Sequence, residues 1–273
     1  MSKLLVHRAA LSNMVRRIAG RAGAIVLDHA DGVIVPDMKD DGSPVTAADH
    51  AAEEYIAREL AALTPDVPII GEECAAKGSC PVLSGGGYVW YVDAIDGTRE
   101  FAAGGDDYTV NIGLVKDGVP VLGVVHAPAL GEMYAGYTEE DGSVRAVRFS
   151  AETGKDKDIR ARRVPRDGMV VLLSRTRAVT PDLEAFLGQY KVARITRRSS
   201  SLKLCAIAAG KADLYPCFGK TCAWDIVAGQ AIVTAAGGVV VTPQGDALRY
   251  DPPPAGFENP AFVAAGEPIG ELP

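Results

Sequence analysis

No stretch of this chain is apolar for long enough to cross a membrane, and its N-terminal segment lacks the layout of a secretory leader. Residues 1–30, MSKLLVHRAALSNMVRRIAGRAGAIVLDHA, are interrupted by Arg16, Arg17 and Arg21, which breaks the continuous apolar core that either would need. The five cysteines contain no C-x-x-C pair and their number is odd. Reduced thiols are therefore expected at Cys74, Cys80, Cys205, Cys217 and Cys222, in place of a disulfide framework. Four histidines are scattered without metal-ligand spacing, which argues against a zinc site. Positive charge is not in excess either: the formal net charge is −7, which opposes nucleic acid or an anionic membrane as a partner. Internal repeats and low-complexity tails are missing.

What remains is an ordinary globular composition. Hydrophobic residues make up 48% and charged residues 23% of 273 positions, enough to bury a large core in one domain or two lobes. Apolar spacing predicts a helix over residues 4–30 and another over 47–63, which Thr46 and Asp49 would open in the manner of a capping box. A polar loop, DMKDDGSP, separates them. PIIGEE reads as a short buried strand, YVWYVD as a second. YTVNIGLV, VPVLGVVHAP and EMYAGYT form an antiparallel meander. The polar stretch SAETGKDKDIRARRVPRDG is expected to divide an N-terminal α+β lobe, residues 1–150, from a C-terminal αβ lobe, residues 151–273. In the second lobe MVVLLS, DLYPCF and VVVT read as strands, and TPDLEAFLGQY, SSLKLCAIAAGKA and WDIVAGQAIVTAAGG as helices. Helices alternating with strands around a meander predict a layered α+β fold.

The chemistry centres on YVDAIDGTREF, residues 91–101. It is close to the D-x-D-G-T pattern in which the first aspartate attacks phosphate, but Asp93 and Asp96 are one residue too far apart. On a straight strand they would point to opposite faces, so a shared site requires the chain to turn between them. Such a turn also aims the Ile95 carbonyl at whatever the carboxylates hold. Two carboxylates and a carbonyl are hard oxygen ligands suited to Mg²⁺. Gly97 would let backbone approach an anion, and Thr98 would offer an amide and a hydroxyl at a helix start. Glu72-Glu73 leaves a buried strand, Asp225 opens an Ala-rich helix and Asp49 follows Thr46. Taken singly, these are a surface turn, a solvated pair and two helix caps. Together, five acids at helix starts and strand ends of an acidic protein suggest a multi-metal site, the arrangement an anionic substrate would need.

GEE, then D-x-I-D-G-T, then WD before an Ala-rich helix is the ordered motif set of the inositol monophosphatase superfamily, which this chain resembles. SPVTAAD, D-G-T-R-E-F, Y-T-V-N-I, S-S-L-K and LYP-x-FG-x-T look like its CysQ-type 3′(2′),5′-bisphosphate nucleotidase branch. The resemblance spans about Lys39 to Tyr250. It implies a layered αβαβα sandwich, the inositol monophosphatase-like or sugar phosphatase fold. It implies two or three Mg²⁺ ions held by Glu72, Asp93, the Ile95 carbonyl, Asp96 and Asp225. It implies a water-activating pair, Asp49 and Thr98, and phosphate contacts from Lys39 and the Gly97 and Thr98 amides. Glu72, Asp225, Ser200, Lys203 and Arg177 would meet the substrate. The implied reaction converts 3′-phosphoadenosine 5′-phosphate to AMP and phosphate by direct attack of water, relieving product inhibition in sulfate assimilation in a lithium-sensitive, cytoplasmic enzyme.

The sequence departs from that pattern at Cys217, where a basic residue usually follows LYP to meet the second phosphate. Arg177, Arg198 and Lys220 are candidates to restore the charge. Ala94 replaces the usual proline between the aspartates. Cys217 keeps inositol monophosphatase, or another sugar phosphatase of the superfamily, as the alternative reading. A non-catalytic metal- or nucleotide-binding protein is the remaining one. The expected partner is a small phosphorylated nucleotide, with no nucleic acid and no integral membrane association; a homodimer and peripheral contact with the inner membrane face stay open.

Overall fold

The computed structural model describes residues 3–30, 36–38, 44–83, 85–250, 253, 257–268 and 270. The N-terminal helical pattern is realised in two pieces, a 3-10 turn at Lys3–Val6 and helix α1 (Arg8–Asp28). They are separated at His7 because α1 starts on an acidic cap. The N–H groups of Arg8 and Ala9 donate to Glu139 at 3.0 and 2.9 Å, and the buried Arg8 guanidinium donates to Thr138 O and Glu140. The loop DMKDDGSP holds a small ladder of β1 (Asp37–Met38) with β2 (Pro44–Val45), leading into α2 (Ala47–Leu63).

Next come β3 (Ile69–Gly71), α3 (Glu72–Ala76), β4 (Tyr88–Asp96), α4 (Thr98–Ala102), β5 (Thr109–Lys116), β6 (Val119–Ala127) and β7 (Glu132–Thr138). The polar stretch that follows does not leave the sheet at once. β8 (Val144–Ser150) and β9 (Lys155–Asp158) extend it to seven strands in sequence order, antiparallel except for β3 beside β4. Every residue of β9 is exposed, so its composition reads as a linker; a charged edge strand also discourages pairing with other chains.

A second sheet takes its strands from the rest of the chain: β10 (Met169–Ser174), then after α5 (Pro181–Leu187) β11 (Val192–Arg198), and after α6 (Leu202–Ala208) β12 (Leu214–Cys217). Helix α7 (Ala223–Ala235), β13 (Val239–Val241) and β14 (Phe262–Ala265) complete it, in the order β11-β10-β12-β14-β13. Neither β11 nor β14 is expected from the sequence. The first is an exposed edge carrying three arginines and the second is only four residues long, so neither has a clear period-2 signal.

Residues from α1 and α2 pack with Trp90, Val92, Ile112 and Leu114 on one face of the seven-stranded sheet. Its other face, with Tyr91 and Val125, meets α6, α7 and the second sheet. Leu183 and Phe186 of α5 cover the outer side of the second sheet against Met169, Val171 and Val263. The result is the five-layered αβαβα sandwich, and the central helix α7 is apolar all round because a sheet lies on each side.

A furrow of glycines seats that helix. Gly113, Gly123 and Gly136 are cross-strand neighbours on β5, β6 and β7. A Cβ at Gly123 would lie 2.0 Å from Ala228 O, one at Gly113 2.5 Å from Val227 Cγ1, and one at Gly136 2.7 Å from Ile232 Cα. Gly123→Ala is therefore expected to lower stability by about 1–3 kcal/mol, the range for overpacking a filled core. Denaturant unfolding measures it, and an unchanged midpoint would mean that α7 can lift away freely.

The expectation of five reduced thiols fails at one pair. Cys74 and Cys80 form a disulfide across a sequence separation of 6, while Cys205, Cys217 and Cys222 are free. The chain reverses after α3 through Gly78, at φ +62°, which brings the two Cα atoms to 5.1 Å, within bridging range. Among the described residues no helix is long and apolar enough to cross a membrane.

Candidate active site

The spacing problem in DAID is resolved by a bulge in β4. Asp93 stands opposite Asn111 and Asp96 opposite Thr109, so three steps along β4 match two along β5. The extra residue restores the alternation and returns Asp96 to the side of the sheet that Asp93 occupies. Asp93 Oδ1 accepts the Ile95 N–H at 3.0 Å, which pins the bulge from within. The chain then leaves through Gly97 at φ +102°, where an added Cβ would sit 3.2 Å from Asp107 O, and α4 begins at Thr98.

Asp49 divides its two oxygens between two tasks. Oδ2 accepts the Thr46 N–H at 2.8 Å and the Thr46 hydroxyl at 2.6 Å, tying the start of α2. Oδ1 lies 3.2 Å from Thr98 Oγ1, which is also 3.0 Å from the Ile95 carbonyl. One hydroxyl proton thus faces two acceptors, and both Asp49 and Thr98 are buried. Asp225 has the same economy: its Oδ2 accepts the Cys222 N–H at 2.8 Å at the start of α7. The helix-cap reading of these two aspartates and the site reading are compatible, because a carboxylate has two oxygens.

Glu72, Asp93, Asp96, Thr98 and Asp225 line one cleft of about 300 Å³, together with Arg177 from the loop after β10, Ser200 from the turn after β11 and Lys203 of α6. Of the residues singled out from the sequence, Lys39 lies outside the described residues. The Lys203 ammonium is buried, donates to Ser200 O at 2.5 Å and stands 5.1 Å from the Tyr215 ring centroid. Ser200 holds φ +55° without being glycine, a strained setting of a kind common at functional sites.

The three candidates to replace the charge missing at Cys217 separate clearly. Arg198 donates to Asp107 at 2.7 Å, and Lys220 is 3.3 Å from Glu258. Arg177 reaches the cleft. Its Nη1 lies 3.5 Å from Cys217 Sγ and its Nη2 donates to Lys220 O.

Several supporting residues escaped the sequence reading. The Ser201 N–H donates to Asp96 Oδ2 at 2.6 Å, and Asn111 Nδ2 is 3.5 Å from the same oxygen. Asn111 Oδ1 accepts from the Ser201 hydroxyl, which also meets Thr109 Oγ1 at 2.8 Å. Buried Asp107 receives Arg175, Arg198 and the Ser199 N–H, while Glu100 of α4 receives Arg175 and the Ser199 hydroxyl. These bonds tie the edge of the first sheet to the loops of the second. The available signal was polar residues inside an apolar strand: Thr109 and Asn111 of YTVNI are wholly buried.

Electrostatically the cleft is short of positive charge. Burial pushes the Asp93 carboxyl well up, and repulsion from Glu72, Asp96, Asp225 and Asp49 adds to it. Burial and then Asp96 push Asp225 up to about 8, against the Cys222 N–H. Burial also raises Asp96, with Lys203 and the Ser201 N–H opposing. In the described conformation one oxygen of each of Asp93, Asp96 and Asp225 is drawn to a protein N–H. Among the described residues no three acidic, His or Cys side chains converge as a ready-made ion cage. Even so, four acids around one cavity, with the Ile95 carbonyl between two of them, are a hard-oxygen donor set fit for divalent cations such as Mg²⁺. Bringing a cation in would offset the burial and repulsion that hold their pKa values up.

Comparison with known proteins places the chain in a family. A family model described as "Inositol monophosphatase family" matches residues 8–269. The chain is 39% identical over 254 residues to the 3′(2′),5′-bisphosphate nucleotidase CysQ of Escherichia coli, covering 92% of this chain and 97% of that protein. It is 41% identical to the CysQ of Salmonella typhimurium, covering 91% and 96%. Among solved structures, CysQ from Bacteroides thetaiotaomicron superposes with a TM-score of 0.71 at 29% identity, covering 95% of this chain and 97% of that one. The inositol monophosphatase from Anabaena, at 23% identity, a TM-score of 0.74 and 98% coverage of both chains, shares the fold. With a family model matched over residues 8–269 and relatives 39% and 41% identical over most of its length, this chain belongs to the inositol monophosphatase family.

Proposed function

We propose that this protein is a Mg²⁺-dependent phosphomonoesterase that hydrolyses 3′-phosphoadenosine 5′-phosphate to AMP and phosphate. The observation that carries the reading is the β4 bulge, which sets Asp93 and Asp96 on one side of a cleft whose other wall carries Lys203 and Arg177. Mg²⁺ held by Glu72, Asp93, the Ile95 carbonyl, Asp96 and Asp225 would lower the pKa of a bound water and offset charge on the phosphoryl oxygens. Thr98, donating to Asp49, has a lone pair to accept a hydrogen bond from the attacking water, and the proton leaves the water along that path. The Gly97 and Thr98 amides receive phosphoryl oxygens, and the family resemblance assigns Lys39 the same role. The new bond runs from water oxygen to phosphorus; the bond to the ribose 3′-oxygen breaks on the opposite side, and that oxygen takes up a proton from a solvent water while the proton passed to Asp49 returns to solvent. No carboxylate becomes covalently bound, which distinguishes this site from D-x-D-G-T phosphatases.

Arg177 supplies the charge for the second phosphate, in place of a basic residue at Cys217, and Ser200 and Lys203 meet the nucleotide. Arg177 is held ready between Lys220 O and Cys217 Sγ. Arg177→Ala is expected to lower kcat/KM for 3′-phosphoadenosine 5′-phosphate about 10–100-fold, as loss of a charge-assisted hydrogen bond would. Hydrolysis of 3′-AMP, which has no second phosphate, should change less than about threefold. Phosphate release with and without Mg²⁺, on these esters and on inositol 1-phosphate, tests the whole reading. Faster turnover of the inositol ester would assign the protein to sugar phosphate chemistry instead.

A further inference from the structure

Helix α2 reaches Thr98 of the cleft wall through Asp49, but its next turn makes a second contact that no catalytic scheme above uses. Glu53, four residues on and therefore on the same face, extends to the first turn of α3. Its Oε2 accepts the Glu73 N–H at 3.1 Å and its Oε1 the Cys74 N–H at 3.3 Å. The carboxylate fills the space over Gly71, where an added Cβ would lie 2.4 Å from Glu53 Oε1. A neighbouring contact joins the same two helices, His50 Nδ1 standing 3.3 Å from Glu73 Oε2. Helix α3 has only five residues, too few to hold its own orientation, and it begins at Glu72.

We propose that Glu53 is a positioning residue that sets Glu72 for divalent-cation binding, by bracing α3 against the helix that carries Asp49. The inference rests on the metal reading of the cleft. With two backbone N–H groups bound to one carboxylate, the first turn of α3 cannot rotate about its axis without breaking both bonds. The Glu72 carboxylate, one residue ahead, is thereby held in place relative to Asp49 and Asp93. Glu53 itself touches neither cation nor substrate.

The test is Mg²⁺ binding measured by calorimetry, alongside the Mg²⁺ dependence of turnover. Glu53→Ala is expected to weaken Mg²⁺ binding about 10-fold or more, the scale for outer-shell partners of a metal site. At saturating Mg²⁺ its kcat should return to within about threefold of wild type, because the reacting groups are untouched. Glu53→Gln, which keeps one acceptor oxygen, should fall between the two. Gly71→Ala offers an independent approach: its backbone, at φ −121° and ψ 167°, accepts alanine, and the new methyl would push the Glu53 carboxylate off its bonds. Gly71→Ala should raise the Mg²⁺ requirement in the wild-type background and add little to Glu53→Ala, a non-additive cycle. Unchanged Mg²⁺ affinity in a folded Glu53→Ala protein, fully additive effects, or a kcat loss that Mg²⁺ does not restore would overturn the proposal. Wild-type protein that takes up no Mg²⁺ in the calorimeter would remove the metal reading, and this inference with it.

Discussion

Asp96→Ala is expected to lower phosphate release by at least about 10³-fold, equivalent to roughly 4 kcal/mol of transition-state stabilisation, with the fold retained. The size follows from its position. Asp96 closes the β4 bulge, lines the cleft, and takes its orientation from the Ser201 amide and Asn111. It is also the acid that most raises Asp225. Losing it removes one donor to the cation and loosens the loop that presents Ser200 and Lys203. The fold should survive because the site carries more negative charge than it can hold without a cation; deleting one carboxylate relieves repulsion. Asp96→Asn keeps the hydrogen-bonding shape and should lose comparable activity, which separates charge from packing. Circular dichroism and thermal unfolding provide the control. Substantial turnover in a folded Asp96→Ala protein would sink the assignment of this cleft.

Metal-free protein is expected to lose stability as pH rises from about 4 to 8, and Mg²⁺ is expected to restore more at pH 8 than at pH 5.5. Asp225 has an ordinary value of 3.8 and is pushed up to about 8 by burial and Asp96. Asp93, Asp96 and Asp49 are displaced the same way, each by burial first. Between the unfolded and folded pKa values the folded chain binds more protons than the unfolded one, so stability falls with rising pH at about 1.4 kcal/mol per unit for each full proton held. The decline levels off once the folded carboxyls ionise. A bound cation competes with those protons, so the stabilisation it brings should grow with pH. Thermal unfolding in a chelator, with and without Mg²⁺, measures both parts. A metal-free protein most stable at pH 8 would contradict the picture of mutually repelling buried acids.

Much of the site was legible in the residues, since Glu72, Asp93, Asp96, Thr98 and Asp225 all line one cleft with Ser200, Lys203 and Arg177, and Asp49 lies behind Thr98. The supports were harder to read. Asn111 and Ser201 matter through hydrogen bonds at sequence separations of 15 and 105 from Asp96, and no local pattern encodes a partner so far along the chain. Glu53 looks like one more solvated helix glutamate until α3 is packed against it. Strands β9 and β11 carry no strand signal because exposed edge strands have the charged composition of loops. The Cys74–Cys80 bridge was missed because spacing alone does not reveal the reversal at Gly78.

The residues alone pointed to the layered class and to the acids as a candidate cation site, since these follow from periodicity, side-chain chemistry and net charge. Whether Asp93 and Asp96 could share a site was undecidable from their spacing, because strand parity places them on opposite faces unless a residue is inserted into the ladder. The β4 bulge inserts it, and a bulge is defined only against the register of the neighbouring strand. Likewise, which of Arg177, Arg198 and Lys220 is already held by a carboxylate cannot be read from their positions in the chain. Asp107 and Glu258 hold two of them, a matter of long-range ion pairing that only the tertiary structure decides.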